Sequence, residues 1–148
     1  MDRHPYIRAY MAGIFLPTLG LLIALSAFIL VRLVMQLPMP IERAIAFPMA
    51  IVPNLWGVWN MVYVRVRQNH SWKIGLHGLL LLLIVGPLGY CVGRLTSVLE
   101  ASAQGLVYFG AIRLDYAHFV IGILIGAGIY YLAWKYVVNF LNELLGIA

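Results

Sequence analysis

Residues 44–64 of this 148-residue chain read AIAFPMAIVPNLWGVWNMVYV. The stretch is uncharged, and its length suffices to cross a hydrocarbon core of about 30 Å, which takes about 20 helical residues. It also contains two prolines, two asparagines and two tryptophans. Helix breakers and amides at this depth are tolerated only where neighbouring protein or water satisfies the polar groups. The stretch therefore predicts a membrane helix inside a bundle, and it is where we expect the functional residues.

The composition is typical of a membrane protein. Hydrophobic residues make up 64% of the chain and charged residues 10%, and the mean hydropathy is +0.94. Uncharged runs predict four transmembrane helices, at about 11–31, 44–64, 74–92 and 116–135. The first run is too long for the core of a signal peptide and no clear cleavage site follows it, so we expect it to be retained. Residues 1–148 are thus predicted to form one all-α domain, a polytopic four-helix transmembrane bundle.

The distribution of Lys and Arg predicts the orientation of this bundle. One side carries six of them and the other side four, as follows: Arg3, Arg8, Arg65, Arg67, Lys73 and Lys135 against Arg32, Arg43, Arg94 and Arg113. Cytoplasmic loops are enriched in basic residues, so we expect both termini to be cytoplasmic, in a bacterial-type inner membrane. The tail at 136–145 alternates polar and apolar residues, which suggests an amphipathic end along the cytoplasmic surface.

The net charge of +5 indicates contact with membrane lipids rather than with nucleic acid. Basic loops are what the orientation rule requires, and anionic headgroups attract them. The single cysteine, Cys91, excludes an internal disulfide bond.

Prolines predict breaks in two of the helices. Pro48 and Pro53 each remove a backbone donor from the second predicted helix, and Pro87 does the same in the third, between Gly86 and Gly89. The second helix is therefore predicted to be kinked. Interrupted helices at corresponding depths are typical of transporter binding sites, although kinks also serve packing alone.

A polar stripe follows the second predicted helix. Pro53, Trp56, Asn60 and Tyr63 recur at spacings of three, four and three residues, which places them on one helix face. Asn54 lies beside this stripe. Such residues must face protein or water. They form either a pocket for a lipid headgroup, a small solute or an ion, or a set of hydrogen bonds that hold helices together.

Small residues predict close helix packing. Gly57 lies within the polar stretch, and two small-xxx-small patterns are formed by Gly89 with Gly93 and by Gly122 with Gly126. The contacts lie either within the bundle or between protomers of a homo-oligomer.

The loop at 93–115 is expected on the outer side. Ser97 and Glu100 have the spacing of a capping box, which predicts a short interfacial helix at 97–104. Asp115 and His118 share a face at the start of the last helix. They form either a proton-carrying pair or a carboxylate that the helix N-terminus stabilises. With Arg94, they are predicted to form the mouth of the site.

No residue spacing matches a metal or cofactor motif, and the predicted helices contain no carboxylate, so we predict neither a cofactor nor a metal. The leading hypothesis is a membrane protein that binds or passes a small solute or lipid headgroup. Its ligand-binding residues would be Asn54, Trp56, Asn60, Tyr63, Arg94, Asp115 and His118. The alternatives are a non-catalytic accessory or scaffold subunit of a larger membrane complex, and a lipid-active membrane enzyme.

Overall fold

The computed structural model describes residues 4–36, 51–67, 72–110 and 112–147. Its elements are α1 (Pro5–Leu33), α2 (Val52–Val66), α3 (Ile74–Leu95), β1 (Leu99–Ser102), β2 (Gly105–Tyr108), β3 (Ile112–Asp115) and α4 (Tyr116–Leu144). The chain is mostly helical, as predicted. Three helices, α1, α3 and α4, are long and apolar enough to cross a membrane.

Helix α1 comprises 29 mostly apolar residues and begins with Pro5, whose missing N–H costs nothing in the first turn. The hydroxyl groups of its one threonine and one serine are satisfied within the helix. Thr18 donates to the carbonyl oxygen of Ile14 at 2.6 Å, and Ser26 donates to that of Leu22 at 2.9 Å. This arrangement suits a helix with apolar surroundings, because neither of these two hydroxyl groups needs a partner outside the helix.

Helix α2 differs from the predicted second span. It comprises 15 residues, and Pro53 lies in its first turn. The predicted kink concerns the chain on both sides of Pro53 and stays a prediction. In the first turn a proline removes a donor that has no acceptor within the helix, and it therefore starts a helix instead of bending one. Pro48 and the earlier part of the predicted span lie outside the described residues. Helix α3, by contrast, runs through Pro87 without ending.

The segment between α3 and α4 is a three-stranded antiparallel sheet in the order β1-β2-β3, and the interfacial helix predicted at 97–104 is wrong. Ser97 has a φ of 56°, in the left-handed region, whereas a helix N-cap residue has extended backbone. The sequence signal that indicates a strand here is the alternation of apolar and charged residues at Ile112, Arg113, Leu114 and Asp115. This alternation has the two-residue period of a strand.

Helix α4 changes character along its length. Its first part, Tyr116–Leu132, contains no buried residue. A π-helical segment follows at Ala133–Val138, and beyond it the helix resumes at Asn139–Leu144. From this segment onward, Trp134, Val138 and Asn142 are buried at intervals of four residues. The tail therefore packs into the bundle, in contrast to the surface orientation expected from sequence.

Helices α1 and α2 cross at two glycines. A Cβ atom added at Gly13 would lie 2.6 Å from the carbonyl oxygen of Trp56 and 2.8 Å from the Cα of Gly57. Both of these atoms belong to the backbone, which cannot rotate away. The crossing therefore depends on the missing side chains.

We predict that Gly13→Ala lowers the free energy of unfolding in detergent by about 1–3 kcal/mol, the usual cost of overpacking. Gly86→Ala is the matched control, because no atom in the described part of the chain lies within 4 Å of a Cβ added there and alanine favours a helix over glycine. Thermal unfolding followed by tryptophan fluorescence measures both. Equal stability of the two variants would contradict the close crossing.

Candidate functional site

The four polar residues predicted to line one pocket occupy different environments. Asn54 is exposed and accepts a hydrogen bond from the Tyr10 hydroxyl. Trp56, Asn60 and Tyr63 are buried among other helices. Of these four residues, only Trp56 lines either of the two cavities described below.

Asn60 and Asn142 form a reciprocal amide pair at the centre of the bundle. Asn60 Nδ2 donates to Asn142 Oδ1 at 2.8 Å, and Asn142 Nδ2 donates to Asn60 Oδ1 at 3.1 Å. Asn60 Nδ2 also donates to the carbonyl oxygen of Ala9 at 2.8 Å. The exposed fractions of Asn60 and Asn142 are 0% and 1%. These bonds connect α1, α2 and α4, which is what interhelical hydrogen bonding requires.

Tyr63 belongs to an aromatic enclosure around His77. The Tyr63 ring meets the imidazole edge-on, with centroids 4.9 Å apart, and the Trp59 and Trp72 rings lie at 6.4 and 6.2 Å. Trp59 Nε1 donates to the carbonyl oxygen of His77 at 2.8 Å. The sequence analysis did not select His77, because a single histidine near a helix end carries no motif.

A second aromatic group joins α2 to α4. Trp56 Nε1 donates to the Tyr130 hydroxyl at 3.4 Å, and the centroids of the two rings are 5.0 Å apart. The Trp134 ring lies 5.5 Å from that of Trp56. Gly78 allows this approach, since a Cβ atom there would lie 2.7 Å from two atoms of the Trp134 ring. The aromatic group is therefore held between α2, α3 and α4.

An apolar cleft of about 280 Å³ lies beside this aromatic group. Helix α1 contributes Leu16, Pro17, Gly20 and Leu21, α2 contributes Trp56, and α4 contributes Tyr130. The Trp56 N–H and the Tyr130 hydroxyl are hydrogen-bonded to each other. The cleft therefore presents hydrocarbon and ring surfaces and suits an apolar occupant.

The predicted outer mouth is exposed. His118 Nδ1 lies 3.6 Å from Asp115 Oδ2, and the side chains are 69% and 72% exposed. A contact this open to solvent stabilises little. Arg94 is also exposed, in the last turn of α3. A hollow of about 300 Å³ does lie at this end, against β2 and β3, and Asp115 lines it together with Arg113.

The chemistry of the titratable residues gives one pKa shift at this end and no cluster of metal ligands in the described part of the chain. Partial burial raises the pKa of the Tyr108 hydroxyl above its ordinary value of 10.0. Within the described ranges, no three His, Cys, Asp or Glu side chains come together as metal ligands.

The glycines predicted to pack closely fall into two groups, one in contact with other elements and one on an open face. Gly57 packs against α1, since a Cβ atom there would lie 2.5 Å from the Tyr10 ring. Gly93 lies against Leu99, and Gly89 is half-buried. No described atom lies within 4 Å of a Cβ added at Gly122 or Gly126, so the structure places these two on an open face. Three other glycines that pack closely, Gly13, Gly75 and Gly78, were not predicted from the sequence.

We predict that Asn60→Leu and Asn142→Leu each lower the free energy of unfolding by about 1–3 kcal/mol, because each leaves a buried amide without its partner. The double variant should lose about 1 kcal/mol less than the sum of the two losses, since neither amide then remains. Asn139→Leu is the control, because its amide bonds only the exposed Glu143. Strictly additive losses in a double-mutant cycle would contradict a direct amide pair.

No protein family model, no curated protein and no solved structure matches this chain.

Proposed function

We propose that this chain is an integral membrane protein of a bacterial-type inner membrane, with both termini in the cytoplasm. Large apolar side chains on α1 and α4, such as Ile23 and Leu124, are more than half exposed. In water, so extensive an apolar surface would drive association. In a bilayer, lipid chains cover it, and the excess of Lys and Arg at the side of the termini supports the orientation.

Within this membrane protein, the proposed function is to bind a hydrocarbon chain of a lipid or a lipid-like molecule in the cleft between α1, α2 and α4. The observation that carries the proposal is the cleft itself, which has an aromatic wall and whose Trp56 and Tyr130 polar groups are hydrogen-bonded to each other. Water is a poor occupant of such a site, because an ordered water needs two or more polar partners.

A polar solute is supported less well than an apolar chain. The amides that would hold a polar solute, Asn60 and Asn142, bond to each other and to Ala9. A solute would have to break these bonds and leave buried amide groups unpaired. The polar residues of α2 are therefore proposed to hold the helices together, while the ligand occupies the apolar side of Trp56.

The walls of the cleft support selective binding over general lipid contact. Trp56 is fixed by the Tyr130 hydroxyl and by the neighbouring Trp134 ring. Gly20 leaves open space on the opposite wall, where no atom of the described residues lies within 4 Å of an added Cβ. A preformed cleft with rigid rings binds a chain at lower entropic cost than a mobile lipid-facing surface does.

We predict that Gly20→Phe fills the cleft and reduces labelling by a photoactivatable fatty acid at least about tenfold, the effect of roughly 1.4 kcal/mol of lost binding. Mass spectrometry of the labelled peptides measures the yield at Trp56 and Tyr130. Gly86→Phe is the matched control, because its position in α3 is equally open and lies outside the cleft.

Both variants should unfold at about the same temperature as the wild-type protein, because neither new ring displaces a packed atom. Undiminished labelling of the cleft residues in Gly20→Phe would contradict the proposal, as would an equal loss of labelling in both variants.

A specific observation favours the accessory subunit as the second candidate function. The Tyr116–Leu132 part of α4 has no buried residue, and its Gly122 and Gly126 face open space within the described structure. Small residues at such spacing allow a second membrane helix to approach closely. In this alternative, α4 binds a partner protein or a second copy of the chain. The lipid-active enzyme has only the exposed contact between Asp115 and His118 in its favour.

If α4 docks a partner, Gly122→Ile combined with Gly126→Ile should abolish a cross-linked assembly in the native membrane, because two branched side chains prevent close approach. Gly128→Ile is the matched control: it lies on the opposite side of α4 and is equally open. Cross-linking followed by gel electrophoresis reports the assembly. A wild-type chain that forms no assembly, or an equal loss in the control, would count against the accessory role.

A further inference from the structure

The sheet has one apolar and one polar face. Opposite residues in an antiparallel sheet point to the same side, and successive rows alternate. One row joins Leu99, Tyr108 and Ile112, and the row two residues along it joins Ala101, Leu106 and Leu114. The buried members of this apolar face are Leu99 and Leu106.

The remaining two rows form the polar face. One row joins Glu100, Val107 and Arg113, and the other joins Ser102, Gly105 and Asp115. This face therefore carries one basic and two acidic side chains. Only β1 of this sheet falls within the interfacial helix predicted at 97–104, and neither the fold nor the cleft accounts for the charges of the polar face.

The hollow of about 300 Å³ lies against this part of the sheet. Gly105 is one of the residues that line it, and this glycine comes close to β3 because it has no side chain. A Cβ atom on Gly105 would overlap the carbonyl oxygen of Leu114 and lie 2.9 Å from the Cα of Asp115. Arg113 and Asp115 line the hollow, and two residues of strand rise place their Cα atoms roughly 7 Å apart.

The hollow lies where two span-length helices end. The sheet connects the last turn of α3 to the first turn of α4, so it lies at a single end of the bundle. The Tyr116 hydroxyl donates to the carbonyl oxygen of Ser102 at 2.9 Å, which attaches β1 to the start of α4. In the membrane orientation proposed above, this end is at the level of the outer phospholipid headgroups.

The charges of the hollow select among headgroups. Arg113 is exposed and forms no salt bridge with an acid in the described residues, so its guanidinium is available to a phosphate. Asp115 has one ionic contact, with the exposed His118, and its carboxylate is 72% exposed. A wholly anionic headgroup in the hollow would meet Asp115 as a like charge. A headgroup that carries both a phosphate and an ammonium is complementary to both signs.

We infer that this hollow binds the phosphate and ammonium groups of a zwitterionic phospholipid headgroup, with the phosphate on Arg113 and the ammonium on Asp115. The inference rests on the proposed membrane placement and is independent of the cleft. The ligand chemistry is shared by a lipid headgroup and by free phosphoethanolamine, and the lipid is the source proposed here, because the hollow adjoins the ends of two membrane helices.

The test uses the full chain in nanodiscs that contain phosphatidylglycerol and phosphatidylethanolamine in equal amounts. Native mass spectrometry of the released protein measures which lipid is retained. We expect phosphatidylethanolamine to be enriched about threefold to fivefold over phosphatidylglycerol, the scale of partly exposed charge contacts. Arg113→Gln should abolish retention of both lipids at this site. Asp115→Asn should remove the preference while retention of phosphatidylglycerol persists or rises.

Arg65→Gln is the control, because Arg65 is an exposed arginine near the opposite end of the bundle, at the end of α2. It should leave the preference unchanged. A loss of preference in this control would overturn the assignment to Arg113, as would a preference that survives Arg113→Gln. Gel filtration of each variant verifies that it is folded, and Arg113→Lys, which keeps the charge, should retain most of the enrichment.

Two further outcomes distinguish the inference from the function on which it rests. A chain that does not enter the nanodiscs overturns the membrane placement itself. A chain that enters them and retains both lipids equally overturns only the headgroup site. Titration with soluble phosphoethanolamine separates the sources: saturation of the site by this compound without any enrichment of the lipid would overturn the lipid as the ligand.

Discussion

The amide pair of Asn60 and Asn142 is the interaction on which the arrangement of the helices depends. It joins α2 to the end of α4, and the additional bond from Asn60 to Ala9 includes α1. Buried amides are stable only when every partner is present, so this connection requires a single register between three helices. The glycine crossing at Gly13 and Gly57 brings the backbones close enough for the amides to meet. The π-helical segment of α4 lies between its open first part and the turns that carry Asn142.

This arrangement separates the polar and apolar surfaces of α2. Asn60 is satisfied by protein groups, whereas Trp56, one turn away, forms a wall of the apolar cleft. The protein can therefore bind a hydrocarbon chain in the cleft without exposing the Asn60 and Asn142 amides to that chain. The sheet that follows the C-terminal end of α3 adds a polar surface outside the helices. Arg113 and Asp115 lie on the same face of its strand β3. The proposed functions thus assign the hydrocarbon chain to the cleft and the charged headgroup chemistry to the sheet.

Hydropathy was sufficient to predict α1, α3 and α4, because runs of apolar residues have few other stable arrangements. The polar stripe identified Asn60 as a residue that must face protein or water, but it did not identify its partner. Asn142 lies 82 residues further along the chain, and the sequence read it as part of a surface tail. The sheet was missed because Ser97 and Glu100 imitate a capping box, while the two-residue alternation at 112–115 is only four residues long. Close contacts at Gly13 and Gly78 depend on tertiary geometry, which a single glycine does not encode.

The most direct test of the central claim is a high-resolution structure of the protein in a lipid nanodisc, determined with a rigid binding fragment as a marker. We expect density for a hydrocarbon chain between Leu16, Trp56 and Tyr130. We also expect Asn60 and Asn142 to be hydrogen-bonded to each other, with no solvent beside them. A water-filled path that reaches Asn60, with the cleft closed by the protein's own side chains, would contradict the central claim. That result would return the polar stripe of α2 to the role of a solute pathway.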